Sequence, residues 1–217
     1  FTIDGSGEEN STVVWKAKGN TIKEIETYKL PHTLGGFYGT FTEFLGFKSN
    51  SEEGKVMGLA PYGKYDKKIQ KKLDNFIQFD VETGSYSIDP TYRFYQKRTY
   101  NPYFTDKLVK EFGIPRSHNT KITDFHKDIA FNVQWRLEQI VAKLVDSHVR
   151  KSQIKNICLA GGVAMNCKMN GALTELKNVK NIYVQPASSD NGTALGAACL
   201  SAIDNKNKIS KIMPHAY

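Results

Sequence analysis

Residues 154–203 read IKNICLAGGVAMNCKMNGALTELKNVKNIYVQPASSDNGTALGAACLSAI and contain the pattern that decides the fold. A short apolar run is followed by a glycine-bearing loop and then by a helix-forming segment, and this order occurs a second time. The predicted strands are residues 154–159 and 181–184, and the predicted helices are residues 163–176 and 192–203. Strand, loop and helix in alternation predict an α/β protein whose strands pair in parallel.

The segment before this pattern is predicted to be one long helix, residues 124–149. Its apolar side chains recur every three or four positions, so they form a single stripe along one face. The stripe consists of Ile129, Val133, Leu137, Ile140, Val141, Leu144 and Val145. Asp128, Arg136 and Lys143 fall on other faces, and we therefore expect the stripe to face the core.

The beginning of the chain reads as three strands and a helix. A short strand over residues 1–4 runs into Gly5-Ser6-Gly7, where we expect a turn that requires glycine backbone angles. Strands over residues 12–17 and 22–30 complete an antiparallel meander. Aromatic and leucine side chains at helical spacing predict a helix over residues 35–47.

Residues 64–123 differ from the rest of the chain in composition. Charged residues, prolines and tyrosines crowd together there without a steady period, which is typical of an insertion between two parts of a core. The tyrosines are Tyr86, Tyr92, Tyr95, Tyr100 and Tyr103. Two interpretations stay open: the tyrosines line the pocket of an acceptor substrate, or they form an aromatic cluster of their own beside the core.

The composition is that of an ordinary globular protein. Of the 217 residues, 40% are apolar and 24% are charged, so the chain can bury a substantial core and is not expected to be disordered. No apolar run is long enough to cross a membrane and no secretory leader is visible, so we expect a cytoplasmic location. Cys158, Cys167 and Cys199 lack metal-binding spacing and are predicted to be small buried side chains.

The net charge of +8 is unevenly distributed along the chain. Residues 1–100 carry a balance of +1, and residues 101–217 carry +7. The lysines lie in scattered clusters without an aromatic RNA-binding motif, which favours a solvated surface over a phosphate-bearing ligand or nucleic acid. A nucleic-acid partner is therefore not expected.

Three glycine-bearing loops at strand ends are the candidate functional segments. In the first, Asp4 ends a strand and precedes Gly5 and Gly7, so its carboxylate could hold a metal ion while backbone amides approach a phosphate. The alternative is that the same residues form a plain hairpin turn without a ligand. In the second, Gly161-Gly162 places bare amides at a helix start, where the dipole favours an anion. Close helix–strand packing is the alternative.

The third loop ends at Asp190, just before the last predicted helix. Its aspartate is placed to bind a ligand or to serve as a helix N-cap. Asn166, one turn beyond the second loop, is placed to bond a nucleotide's sugar or phosphate. Loops at the carboxyl ends of parallel strands converge on one crevice, so we expect all three loops to meet.

Together these segments resemble the NodU-type O-carbamoyltransferases, which include nodulation-factor and antibiotic carbamoyltransferases. The most specific stretch is EGKVMGLAPYG, residues 53–63, which contains Glu53 and Lys55. Residues 159–166 and 185–198 carry further matches, and residues 37–47 and the Asp4 turn fit as well. Residues 64–124 carry the least resemblance.

The resemblance implies a partial actin, sugar-kinase and heat-shock ATPase-like fold, which is ribonuclease H-like, in the branch shared with TsaD-type threonylcarbamoyltransferases. It implies that residues 1–217 form part of a carbamoyl-transfer domain with an insertion at about 64–123. The implied reaction makes carbamoyl-adenylate from ATP and carbamoyl phosphate, and then transfers the carbamoyl group to a hydroxyl of a polar, sugar-like acceptor. A YrdC-like domain of the same chain performs the first step in that family.

The resemblance also assigns site residues. Asp4 and Asp190 match the family's two metal-ligand aspartates, with iron(II) or a similar divalent ion as the metal. The residues that match its nucleotide-binding loops are Gly5, Gly7, Gly161, Gly162, Val163, Asn166, Asp190, Asn191 and Gly192.

The sequence departs from the family pattern at both ends. The histidine pair (HxxxH) that precedes the Asp4 strand in the family is absent, and so is the YrdC-like domain after Tyr217. The chain also opens at Phe1 inside a strand, so we expect a fragment that binds metal weakly and does not turn over alone. An ATPase or phosphotransferase of the same superfamily is the alternative enzyme, and a non-catalytic nucleotide- or RNA-binding module is the alternative from another class.

Overall fold

The computed structural model describes residues 1–95 and 102–205. The strands are β1 (Thr2–Gly7), β2 (Asn10–Lys18), β3 (Thr21–Lys29), β4 (Ile77–Asp80), β5 (Ser85–Ile88), β6 (Asn156–Leu159) and β7 (Asn181–Val184). The helices are α1 (Leu34–Phe44), α2 (Glu53–Leu59), α3 (Lys67–Phe76), α4 (Asp106–Phe112), α5 (Asp124–Ser152), α6 (Cys167–Thr174) and α7 (Gly192–Asp204).

The strands that position the site form a mixed arrangement. β1, β2 and β3 are an antiparallel meander, while β6 and β7 pair in parallel, as the sequence predicts. A parallel bridge between Thr2 and Ala160 joins the two groups, and the Ile3 amide donates to the Ala160 carbonyl at 2.8 Å. The spatial order is therefore β3-β2-β1-β6-β7, with the chain's first strand beside its sixth.

The predicted turn at Gly5-Ser6-Gly7 is wrong. β1 continues through these residues to Gly7, which pairs with Asn10, and neither glycine has a positive φ. The hairpin turn lies at Glu8 and Glu9, and Glu8 takes the left-handed conformation with a φ of 55°. The register with β2 is irregular between Ile3 and Gly7, so Gly5 and Ser6 stay extended between two paired stretches of the strand.

α5 supplies the largest share of the core. All seven side chains of the predicted stripe are buried, and the helix extends to Ser152, three residues beyond the predicted end. α1 packs against α5 and contributes Phe37 and Phe41, which are fully buried and meet edge to face at 5.5 Å. The apolar period in the sequence therefore identifies the helix and its buried face.

Tyr86 and Tyr92 of residues 64–123 belong to the main core and not to a separate cluster. Tyr86 is buried, stacks on Tyr28 of β3 with ring centroids 4.3 Å apart, and donates to Thr12 Oγ1 at 2.8 Å. Tyr92 is also buried and stacks on Phe76, which belongs to the main core. This segment completes the core. Tyr100 lies outside the described residues.

Two predicted helices have different bounds in the structure. The helix predicted over residues 35–47 ends at Phe44, because Gly46 turns the backbone to a φ of 72°. The helix predicted over residues 163–176 is split into a 3-10 turn, Gly162–Met165, and α6. Asn166 causes the break, since its side chain accepts from the Met169 amide at 3.0 Å and caps a new helix.

The cysteine prediction is wrong for two of three residues. Cys158 and Cys167 are exposed, and Cys199 is half-buried. Cys158 lies on β6 between the buried Ile157 and Leu159, so the alternation of the strand directs it to the other face.

No helix in residues 1–95 or 102–205 combines the length and apolar composition that a bilayer crossing requires.

Candidate functional site

Asp4 lies where β1 meets the loop after β6. Its Oδ1 atom accepts from its neighbour, the Gly5 amide, at 2.6 Å. Its Oδ2 atom accepts from the Gly162 amide at 3.1 Å, which joins the two segments across the sheet. The half-buried carboxylate is thus fixed by two backbone donors, and each oxygen keeps a lone pair for a further partner.

Gly161 permits this close approach of two backbones. Its φ is +92°, and a Cβ atom there would lie 2.2 Å from the Ile3 carbonyl oxygen. The Gly161 amide donates to the Ser188 carbonyl at 2.6 Å, which ties the loop after β7 to the loop after β6. The close packing of the loop after β6 against β1 therefore requires glycine at position 161.

The start of α1 reaches the same point, a feature that the sequence analysis missed. Thr33 caps the helix by accepting from the Gly36 amide at 3.0 Å, and its hydroxyl donates to the Gly5 carbonyl at 2.5 Å. Gly35 packs so closely that a Cβ there would lie 2.5 Å from the Gly5 nitrogen. A helix start favours negative charge, so the start of α1 stabilises the negative charge of the Asp4 carboxylate. A threonine placed before an apolar helical period is the sequence signal that would have found it.

The Asn166 side chain is already engaged within the protein. Its Nδ2 donates to Gln134 Oε1 at 2.9 Å, and its Oδ1 accepts from Gln134 Nε2 at 3.0 Å. Tyr38 also donates to Gln134 Oε1, at 2.8 Å, and Gln134 Nε2 donates to Glu138 at 2.9 Å. Burial raises the pKa of Tyr38, which keeps its hydroxyl a donor. Gln134 therefore organises this network, and the direct contact of the Asn166 amide with a nucleotide stays a prediction.

Substitution of Gln134 tests this network. We expect Gln134→Met to lower the free energy of unfolding by about 2–4 kcal/mol, because it leaves buried polar partners unsatisfied. Urea denaturation measures the change. Gln139→Met on the same helix is the matched control, since the Gln139 side chain forms no hydrogen bond in residues 1–95 and 102–205. Equal stabilities for the two variants would contradict the role given to Gln134.

Asp190 lies at the third loop but does not cap α7. Asn191 occupies the N-cap position without a side-chain cap bond, and the Asp190 carbonyl accepts from the Thr193 amide at 3.0 Å. The Asp190 side chain is exposed. Gly192 holds the loop tight, because a Cβ there would lie 2.3 Å from the Ala187 carbonyl oxygen.

The metal prediction was tested on the donor set of the described residues. Within residues 1–95 and 102–205, no group of three or more His, Cys, Asp or Glu side chains is placed to hold a metal ion. Asp4 and Asp190 alone are fewer ligands than a divalent cation takes from a dedicated protein site. The described residues therefore do not complete a metal centre.

The EGKVMGLAPYG stretch has structural contacts in the described chain. Glu53 accepts from the Asn50 amide at 2.6 Å and begins α2. Lys55 forms an ion pair with Glu52, and Val56 is fully buried. These contacts fix the turn before α2 and attach the helix to the core.

The fold and the loops define an α/β protein with a carboxylate held among backbone amides at the ends of two parallel strands. The sequence profile described as Carbamoyltransferase N-terminus matches residues 1–199. Because this match covers most of the chain, the protein belongs to the carbamoyltransferase family that the profile describes.

Curated relatives agree with this assignment. An uncharacterized protein of Synechocystis sp. is 39% identical over 90% of this chain and 31% of its own length. The nodulation protein NolNO of Sinorhizobium fredii is 35% identical over 92% of this chain and 27% of its own length. The nodulation protein NolO of Bradyrhizobium diazoefficiens is 33% identical over 92% of this chain and 34% of its own length. The chain thus spans about a third of the length of these relatives.

Proposed function

We propose that the protein of which this chain forms part transfers a carbamoyl group from carbamoyl-adenylate to a hydroxyl of a sugar-like acceptor. Family membership supports carbamoyl transfer, and two of the relatives, NolNO and NolO, are nodulation proteins. The observation that carries the proposal is the junction of Asp4, Gly161-Gly162 and Ser188, which assembles three loops at one sheet edge. In an open α/β sheet this edge is where ligands bind.

The proposed fold is that of the actin, sugar-kinase and heat-shock ATPase superfamily. The order β3-β2-β1-β6-β7, an antiparallel meander followed by parallel strands, supports this proposal. ATP and carbamoyl phosphate are the proposed sources of the adenylate, and a YrdC-like domain of the same polypeptide is the proposed partner.

The proposed transfer makes one bond and breaks one bond. The acceptor hydroxyl oxygen attacks the carbamoyl carbon, the bond from that carbon to the phosphate oxygen breaks, and AMP leaves with the electron pair. The hydroxyl proton passes to a base or to solvent. Residues of this chain contribute binding: the start of α1 places positive partial charge beside the loop junction, which favours the anionic adenylate.

Nucleotide binding is the direct test of the proposal. We expect ADP, with Mn²⁺ as its counter-ion, to bind the full-length protein, and Asp190→Ala to weaken that binding at least about tenfold. Isothermal titration calorimetry measures the affinity. Asp204→Ala is the matched control, because it removes an exposed aspartate from the other end of α7. Equal affinities for the two variants would place the nucleotide elsewhere.

The reaction itself is tested by product analysis. The full-length protein is incubated with ATP, carbamoyl phosphate and hydroxylated acceptors, and the products are identified by mass spectrometry. A carbamate ester on the acceptor supports the proposal. Phosphate release or a phosphorylated acceptor without a carbamate would instead support an ATPase or phosphotransferase.

A further inference from the structure

A cleft of about 240 Å³ opens beside the residues that follow Asp4 on β1. One wall consists of Gly5 and Ser6, and the start of α1 continues it. Arg93, Tyr95 and Tyr103 also line the cleft. None of the glycine loops after β6 and β7 lines the cleft, so it is a separate space that shares β1 with the candidate nucleotide site.

Arg93 is held rigidly in the wall of this cleft. Its Nη1 donates to the Gly36 carbonyl at 3.2 Å and to Thr40 Oγ1 at 3.1 Å. The guanidinium lies over the Tyr103 ring, 4.4 Å from the centroid, and 5.9 Å from that of Tyr95. Contacts to aromatic faces and to α1 therefore fix the orientation of the charged group.

The charge of Arg93 has no ion-pair partner in the described chain. All 22 Asp and Glu residues lie within residues 1–95 and 102–205, and none of their carboxylates pairs with this guanidinium. The carboxylates of Glu43 and Glu53 favour its charge without forming an ion pair with it, and the Glu43 carboxylate accepts from the Tyr103 amide at 2.6 Å. Burial raises the pKa of Glu43 and lowers that of Arg93, so the surroundings disfavour charge on both groups. A partly buried guanidinium without a paired anion carries a desolvation cost, and a bound anion offsets that cost.

We propose that this cleft is the acceptor subsite and that Arg93 binds a carboxylate or phosphate group carried by a hydroxylated acceptor. The assignment of this ligand as the acceptor substrate rests on the proposed function. Binding of an anion by Arg93 does not depend on it. The planar guanidinium matches either group through two parallel hydrogen bonds.

Tyr95 gives the cleft a second polar contact. Its hydroxyl is buried and has no hydrogen-bond partner in residues 1–95 and 102–205. Burial raises its pKa to about 12, so the hydroxyl stays protonated at neutral pH and keeps a hydrogen bond to donate. The volume is below the roughly 300–1,000 Å³ of typical ligand pockets, so the cleft suits one ring-sized part of an acceptor.

Matched small probes test the subsite in the full-length protein. Saturation-transfer NMR compares gluconate with glucose, and glycerol 3-phosphate with glycerol, so that each pair differs in the anionic group. We expect the two anions to bind and the two neutral polyols not to bind. We expect Arg93→Gln to weaken gluconate binding at least about tenfold, and Arg150→Gln, at an exposed arginine on α5, to leave it unchanged.

The remaining arms decide between explanations. Circular dichroism checks the fold of each variant. If Arg93→Gln does not fold, Arg93→Lys is used instead, since it keeps the charge. Weaker gluconate binding is then expected, because lysine lacks the planar guanidinium. Gluconate that binds equally with and without saturating ADP supports a separate subsite. Displacement of gluconate by ADP, equal binding of gluconate and glucose, or wild-type affinity in both Arg93 variants would overturn the proposal. Loss of ADP binding in the wild-type protein would instead overturn only the proposed nucleotide function.

Discussion

Replacing Gly161 with alanine is expected to lower the free energy of unfolding by about 3 kcal/mol or more. The backbone has a φ of +92°, and the new Cβ would lie 2.2 Å from the Ile3 carbonyl oxygen and 2.6 Å from its carbon. Those atoms belong to a paired strand, so relief requires separation of β1 from β6. Urea denaturation of the full-length protein, followed by circular dichroism, measures the loss.

A second glycine on a neighbouring element provides the control. Gly171 is an exposed residue in α6, and a Cβ there meets no atom within 4 Å. Because alanine is the better helix former, Gly171→Ala is expected to raise stability by up to about 1 kcal/mol. If both variants lose the same stability, the close approach at Gly161 does not matter in solution.

Replacing Asp4 with asparagine is expected to reduce carbamoyl transfer by the full-length protein at least about a hundredfold. The carboxylate accepts from the amides of Gly5 and Gly162, and asparagine turns one of the two acceptor oxygens into a donor. One backbone amide then loses its partner, which also costs about 1–3 kcal/mol of stability. Steady-state rates and denaturation midpoints, measured on the same preparation, separate the two effects.

Glu8→Gln is the matched control for Asp4→Asn. Glu8 lies four residues further along, in the exposed hairpin turn, and has no hydrogen bond in the described part of the chain. We expect its rate and stability to stay close to those of the wild type. Unchanged transfer in Asp4→Asn would refute a functional role for the Asp4 junction.

The sequence predicts those parts of the fold that depend on local periodicity. α5 is identified because seven apolar side chains recur on one face, and all seven are buried. β6 and β7 are identified because short apolar runs precede glycine-bearing loops, and they pair in parallel. Hydrophobic pattern and element order are properties of neighbouring residues, so a single sequence contains them.

Other parts depend on partners that are far away in the chain. Gly7 lies in a strand because Asn10 of β2 pairs with it, and Gly5 stays extended between two paired stretches of β1, although the composition there is typical of a turn. Asn166 bonds to Gln134, 32 positions earlier, and nothing local marks that glutamine. Arg93 is half-buried because tyrosines and α1 surround it, whereas its neighbours in sequence suggest an ordinary charged loop. Tertiary contacts decide these positions.

The bond between Asp4 and Gly162 joins positions that are 158 residues apart, and from this separation we expect the β1–β6 junction to form late in folding. The β1–β3 meander and the α5 helix contain mainly local contacts, so they form early, whereas pairing of β1 with β6 must wait for the closure of a very long loop. During synthesis on the ribosome, β1 therefore presents an unpaired edge until the last third of this chain emerges. Such an edge pairs readily with other copies, so variants that weaken the β1–β6 junction should accumulate as aggregates in cells before they show any defect in chemistry.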